Sequence, residues 1–241
     1  MHTKPPSTES HSHLGGLLKE TVFGFNDGIV STFAVIAGLS GGGVSHATVL
    51  LAGLATLLAG AFSMGLGTYL GSKSEKELYE KEYRREKWEI KNKREEEVQE
   101  IRDIYAAKKF KGKLLDEIVD HVTSDEKLWL DTMMREELGF AEKPPRPGLN
   151  GLFMAIAFVI GSAIPNLPYF FPQLPPLTGG AFPNLSTTFF ISMGVTCLGL
   201  LAAGAFKTRF TGRNVFTSAL ETLLIGVLAA GGTYAVGLLF E

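Results

Sequence analysis

Residues 148–206 read GLNGLFMAIAFVIGSAIPNLPYFFPQLPPLTGGAFPNLSTTFFISMGVTCLGLLAAGAF and contain no Asp, Glu, Lys or Arg. A bilayer core about 30 Å thick is crossed by a helix of about 20 mostly apolar residues. The stretch is too long for one crossing and suits two crossings with a turn between them. Pro165, Pro168, Pro172, Pro175, Pro176, Gly179, Gly180 and Pro183 mark the turn, because together they forbid a continuous helix. The two spans therefore fall near 149–170 and 186–206. Working outward, residues 48–71 form another uncharged run, and residues 215–240 form one with a single charge, Glu221. A less clean run from Leu17 to Leu39 contains Glu20 and Asp27.

The other charges gather in one place. Residues 73–147 hold 18 of the 23 Lys and Arg residues and 20 of the 25 Asp and Glu residues. The remaining 166 of the 241 residues share 10 charges. A water-soluble globule does not segregate charge this way, because its whole surface meets water. The expected fold is all-α: an integral membrane protein with five transmembrane helices and a cytosolic three-helix insertion between helices 2 and 3. Its parts are a flexible polar N-terminus (1–16), helices 1 and 2 (17–72), the charged helical domain (73–147) and helices 3 to 5 (148–241). A formal charge of −2 lacks the basic excess of a nucleic-acid binder. A single cysteine, Cys197, excludes an internal disulfide framework.

Lys and Arg in the loops set the orientation. The loop near 40–47 and the turn near 171–185 have none, whereas Lys207, Arg209 and Arg213 follow span four. Five spans put that loop and the 73–147 insertion on one side, so this side and the N-terminus are expected in the cytosol. A cleaved signal peptide is not expected, since the first twenty residues are polar and the apolar run after them is long enough to span. Gly24-x-x-x-Gly28 and Gly67-x-x-x-Gly71 read as close helix packing.

From Lys73 to Lys111 no Pro or Gly interrupts a run dense in helix formers. The spacing predicts one helix, about 57 Å long at 1.5 Å per residue, projecting into the cytosol. A middle helix is expected near 113–121. A short one follows, with Thr123-x-x-Glu126 as its capping box and Gly139 as its stop. The segment 143–147 (KPPRP) reads as a stiff link to span three.

On the long helix at 100° per residue, Glu86, Glu89, Glu97 and Glu100 fall within an arc of about 80°, with Glu82 beside them. Tyr79, Tyr83, Ile90, Val98, Ile101, Ile104 and Tyr105 form the adjoining apolar face. Acids at such a seam repel one another unless something positive lies between them, and a divalent cation would serve. The competing reading is a solvated, ion-paired face, with Lys93 bonded to Glu89 and Glu97. Met133, Met134 and Glu137 share a face of the short helix. Thioethers beside carboxylates suit transition metals better than Mg²⁺ or Ca²⁺.

Inside the membrane, Asp27, Met64 and Glu221 are the candidate pathway residues. A charge at such depth costs at least about 2.5–3.5 kcal/mol on insertion scales, so it lines a path or pairs internally. Met64 sits among small residues in Ala61-Phe62-Ser63-Met64-Gly65. Glu221 has a second reading, as a partner of Lys207 or Arg213 near the interface.

These stretches resemble the vacuolar iron transporter family, including its prokaryotic relatives, over most of the chain. The resemblance rests on residues 24–31 (GFNDGIVS), 61–65 (AFSMG), 130–139 (LDTMMREELG), 209–212 (RFTG) and 219–221 (ALE). It implies a homodimer of five-span subunits, with the route at the interface between subunits. It also implies export of cytosolic Fe²⁺ or Mn²⁺ in exchange for protons, with the metal as substrate and no cofactor. The family's pathway acid matches Asp27 and its thioether Met64. Its cytosolic ligands match Glu86, Glu89, Glu97, Glu100, Met133, Met134 and Glu137. One departure stands out: many members carry Gly-Glu-Tyr where this chain reads Gly67-Thr68-Tyr69. Glu20 and Glu221 are the acids on hand to compensate. An enzymatic di-iron reading lacks its Glu-x-x-His pairs, since position 118 is Ile before His121. The other alternative, a membrane-anchored metal-sensing or structural protein without transport, leaves Asp27 unexplained.

Overall fold

A computed structural model describes residues 11–140, 144–171 and 186–240. The first ten residues, Lys143 of the proline link and nearly all of the 171–185 turn lie outside it. Every described element is helical. In order they are α1 (His11–Gly41), α2 (His46–Asn92), α3 (Arg94–Ala107), α4 (Gly112–Ser124), α5 (Glu126–Thr132), α6 (Pro147–Asn166), α7 (Thr187–Thr211) and α8 (Val215–Gly237). Five stretches are long and apolar enough to cross a membrane: Gly16–Gly41, the first half of His46–Asn92, Pro147–Phe170, Thr187–Arg209 and Val215–Phe240. Helix α1 starts at His11, earlier than the Leu17 expected for span one. The chain forms two compact units, Leu14–Tyr69 with Gly148–Glu241, and the charged stretch Leu70–Pro147.

The membrane unit exposes large apolar side chains, among them Leu51, Phe62, Leu198 and Leu228. So much exposed apolar surface is unfavourable in water and natural in lipid. Small residues let the helices approach. A Cβ on Gly28 would lie 2.4 Å from the Phe158 carbonyl, and one on Gly161 2.2 Å from the Phe25 carbonyl. Gly24 and Gly28 therefore belong to the α1–α6 seam, as their spacing suggested. Among the described residues, nothing lies within 4 Å of a Cβ at Gly67 or Gly71, so neither belongs to a helix seam there. Two buried hydroxyls bond carbonyls of neighbouring helices, Ser162 Oγ donating to Gly28 O at 3.1 Å and Ser192 Oγ to Pro165 O at 2.7 Å. Pro165 is accommodated in the last turn of α6, after which Leu167–Phe170 tighten to a 3₁₀ turn. Ser186 and Asn214 cap α7 and α8.

The charged unit differs from its sequence reading in two places. The helix expected to run unbroken to Lys111 is interrupted at Lys93 (φ −129°, ψ 38°) and ends at Ala107. No Pro or Gly causes the break. Asn92 Nδ2 donates to the Trp88 carbonyl at 2.7 Å, drawing on backbone that the helix would use. Glu95, Glu96 and Glu97 then occupy the first turn of α3, where the helix dipole favours acids. The unit therefore holds the polar half of α2 and three further helices. The cap also moves: Asp125, not Thr123, starts α5, its carboxylate accepting from the Lys127 and Leu128 amides. Gly139 does end the last turn, with φ +69°. The core comprises Ile90, Ile101, Leu115, Val119, Val122, Trp129, Leu130, Met133 and Met134. The predicted apolar face, Tyr79 to Tyr105, packs against or within it.

Substituting Gly28 or Gly161 with Leu forces α1 and α6 apart, at a cost of about 1–3 kcal/mol for an overpacked site. Thermal unfolding of the detergent-solubilised chain is expected to drop for either variant. Gly67→Leu is expected to leave it unchanged.

Candidate metal centre

Three elements of the charged unit carry the predicted ligands. The polar half of α2 carries Glu86 and Glu89. Helix α3 carries Glu97 and Glu100. After α5 the chain widens into a single π-turn, Met133–Glu137, closed by the Leu138 amide on the Met133 carbonyl at 3.2 Å. Such turns are rare and recur at functional sites. This one holds Met133 and Met134 in the core and Glu137 at the surface.

Glu86 and Glu97 are the unusual members. They are 1% and 3% exposed, and Oε2 of each is buried with no hydrogen-bond partner. Burial comes first among the causes that push Glu86 up to about 7, followed by the carboxylates of Glu137 and Glu89. The Arg85 guanidinium opposes them. Burial likewise leads for Glu97, also pushed up to about 7, followed by the charges of Glu100, Glu86, Glu89 and Glu137. Glu137, although its side chain reaches the surface, is raised by partial loss of hydration and then by Glu100, with Arg85 again opposing. The charges of Glu89, Glu100 and Glu137 thus act on Glu86 and Glu97 from both sides of the break in the helix.

The ion-paired reading holds for part of the stripe only. Glu89 accepts from Arg85 Nε at 3.1 Å and lies 3.9 Å from Lys93 Nζ. Lys93 turns its other contact to Glu96 at 3.3 Å and leaves Glu97 alone. Arg85, which also holds Glu82 at 3.2 Å, is the residue that sequence reasoning overlooked. Its i,i+4 spacing to Glu89 was the available signal. Among the described residues, no three His, Cys, Asp or Glu side chains are already gathered in metal-holding geometry. The acids form a cluster that a cation would have to draw in, against Arg85.

In the membrane unit, Asp27 and Met64 are half-buried on α1 and α2. No described cation or hydrogen-bond donor meets the Asp27 carboxylate. Glu221 has a different setting. It is exposed in the second turn of α8, with Arg213 Nη1 at 3.7 Å and Lys207 Nζ at 4.0 Å. Of its two readings, the pairing with Lys207 and Arg213 is the one present.

The chain matches a family of transporters and proteins named as transporters, so it belongs with the transporters and is not an enzyme. More narrowly, it is a member of the VIT family, whose pattern matches residues 18–238. It is 37% identical to vacuolar iron transporter 1 of Tulipa gesneriana over 229 residues, 95% of this chain and 89% of that one. It is 36% identical to vacuolar iron transporter 1 of Oryza sativa subsp. japonica over 236 residues, 98% and 90% of the two chains. The vacuolar iron transporter of Toxoplasma gondii is 35% identical over 237 residues, 97% of this chain and 78% of that one.

Because Glu86 and Glu97 have pKa values above the usual 4.5, they stabilise the fold only while protonated. That contribution is complete below the unfolded value and lost as pH rises through about 7. The metal-free protein is expected to lose thermal stability between about pH 5 and pH 8. Glu86→Gln with Glu97→Gln is expected to flatten the slope. Parallel slopes for the two proteins would remove the carboxylates as its cause.

Proposed function

We propose that the chain carries Fe²⁺, with Mn²⁺ as second candidate, out of the cytosol in exchange for protons. The observation that supports this best is the pair of buried carboxylates, Glu86 and Glu97, each with an unpartnered oxygen. A buried carboxylate without a partner is costly, and a divalent ion offsets that cost more fully than a lysine at the rim does. The charged unit would sit in the cytosol and capture the ion on Glu86, Glu89, Glu97, Glu100 and Glu137, with Met133 and Met134 as soft donors. Carboxylates must deprotonate to bind metal, so capture near neutral pH releases protons.

From there the ion would enter a route between two copies of the chain. Asp27 and Met64 replace part of its hydration shell there, and Asp27 exchanges the metal for a proton on the far side. The unpaired state of Asp27, the iron-transporter names of the relatives and the open face around Gly67 support that reading. Thr68 supplies no carboxylate at the entrance. Glu221, engaged by Lys207 and Arg213, is better suited to anchoring the end of α8.

Flux of Fe²⁺ into proteoliposomes, with and without a pH gradient, tests the proposal. Asp27→Ala is expected to abolish flux and to leave metal binding by the charged unit intact. Undiminished flux would reject the role of Asp27. Glu97→Gln with Glu100→Gln is expected to weaken equilibrium Fe²⁺ binding by the full chain at least tenfold, about 1.4 kcal/mol. An unchanged isotherm would return the stripe to an ordinary ion-paired surface.

A further inference from the structure

At one end of the membrane unit, α1, α7 and α8 leave a crevice of ≈ 420 Å³. Lys19, Phe23, Asn26, Ala203, Lys207 and Ile225 are among its lining residues. The lining combines two chemistries. Phe23, Ala203 and Ile225 offer an apolar wall, whereas Lys19 in α1 and Lys207 near the end of α7 offer positive charge. Lys19 has no carboxylate within ion-pairing reach among the described residues. Lys207 is 4.0 Å from Glu221, which Arg213 also approaches at 3.7 Å. The basic residues at this end, Lys19, Lys207, Arg209 and Arg213, outnumber the acids Glu20 and Glu221. Asn26 lies on the same face of α1 as Lys19, seven residues and about 10 Å further along the helix. Its Oδ1 is buried without a partner.

We propose that this crevice is a binding site for one anionic phospholipid. The headgroup phosphate lies between Lys19 and Lys207. The Asn26 Nδ2 amide donates to an ester carbonyl, and an acyl chain runs along Phe23, Ala203 and Ile225. Charge complementarity favours an anionic headgroup, since basic pockets between spans hold such groups. The mixed lining favours a lipid over a free phosphate: Lys19 and Lys207 share one crevice with the apolar wall of Phe23, Ala203 and Ile225. A free anion would leave the apolar wall and Asn26 uncovered.

The test uses the full chain in detergent, with dioleoylphosphatidylglycerol, dioleoylphosphatidylcholine or inorganic phosphate added and bound lipid counted by native mass spectrometry. Phosphatidylglycerol is expected to bind at one copy per chain and to raise the unfolding temperature. Phosphatidylcholine and phosphate are expected to do neither. Lys19→Gln with Lys207→Gln is expected to cut the preference for the anionic lipid roughly 30-fold, the equivalent of two interfacial cations. Lys19→Arg with Lys207→Arg retains it. Lys19→Gln alone gives an intermediate loss and keeps the test decisive if the double variant misfolds. Equal binding of both lipids would overturn the site. So would an equal loss from Lys73→Gln with Lys76→Gln, which would indicate diffuse surface charge. A crevice sealed by a second copy would take neither lipid, and that result also overturns it.

Discussion

Glu86 and Glu97 lie where water is excluded and where, for one oxygen of each, the fold provides no donor. Their mutual repulsion, reinforced by Glu89, Glu100 and Glu137, is the constraint on which the charged unit turns. The core around Ile90, Ile101, Trp129 and the two methionines holds the helices close enough to create the repulsion. Apolar burial thus stabilises an arrangement that is electrostatically unfavourable when empty. Arg85 and Lys93 relieve it at the rim by pairing with Glu82, Glu89 and Glu96, and they do not reach the two buried oxygens.

The membrane unit obeys a related constraint, because lipid supplies neither hydrogen bonds nor counter-charge. Several polar groups there are met from inside the protein, whereas Asn26 Oδ1 and the Thr32, Thr188 and Thr196 hydroxyls are buried without a partner. Ser162 and Ser192 bond carbonyls of neighbouring helices, and threonines bond carbonyls of their own helix. Two acids show the possible outcomes. Glu221, in the second turn of α8, is neutralised by Lys207 and Arg213. Asp27, deep in α1, is met by none of the described cations. The same functional group is ion-paired in one place and without a described cation in the other.

Much of this was legible in the sequence, residue by residue. The uncharged run 148–206 located two spans, and the concentration of charge in 73–147 separated the two units. The angular positions of Glu86, Glu89, Glu97 and Glu100 identified the acidic stripe, and Gly139 marked the end of the last turn. Other features were hidden. Nothing in local propensity breaks the helix at Lys93 as Pro or Gly would. Asp125 displaced Thr123 as a cap because its side chain reaches two amides. Gly67 and Gly71 matched a packing motif and face open space.

The one-dimensional pattern determined where the chain crosses the membrane and which face of α2 and α3 carries the acids, because hydropathy and helical period are properties of neighbouring residues. Only the tertiary structure decided which acids are paired. Lys93 could reach Glu89, Glu96 or Glu97 by spacing alone, and Glu221 could face a route or an arginine. Those choices depend on how separate helices pack, and burial turns a choice of partner into a difference in charge state.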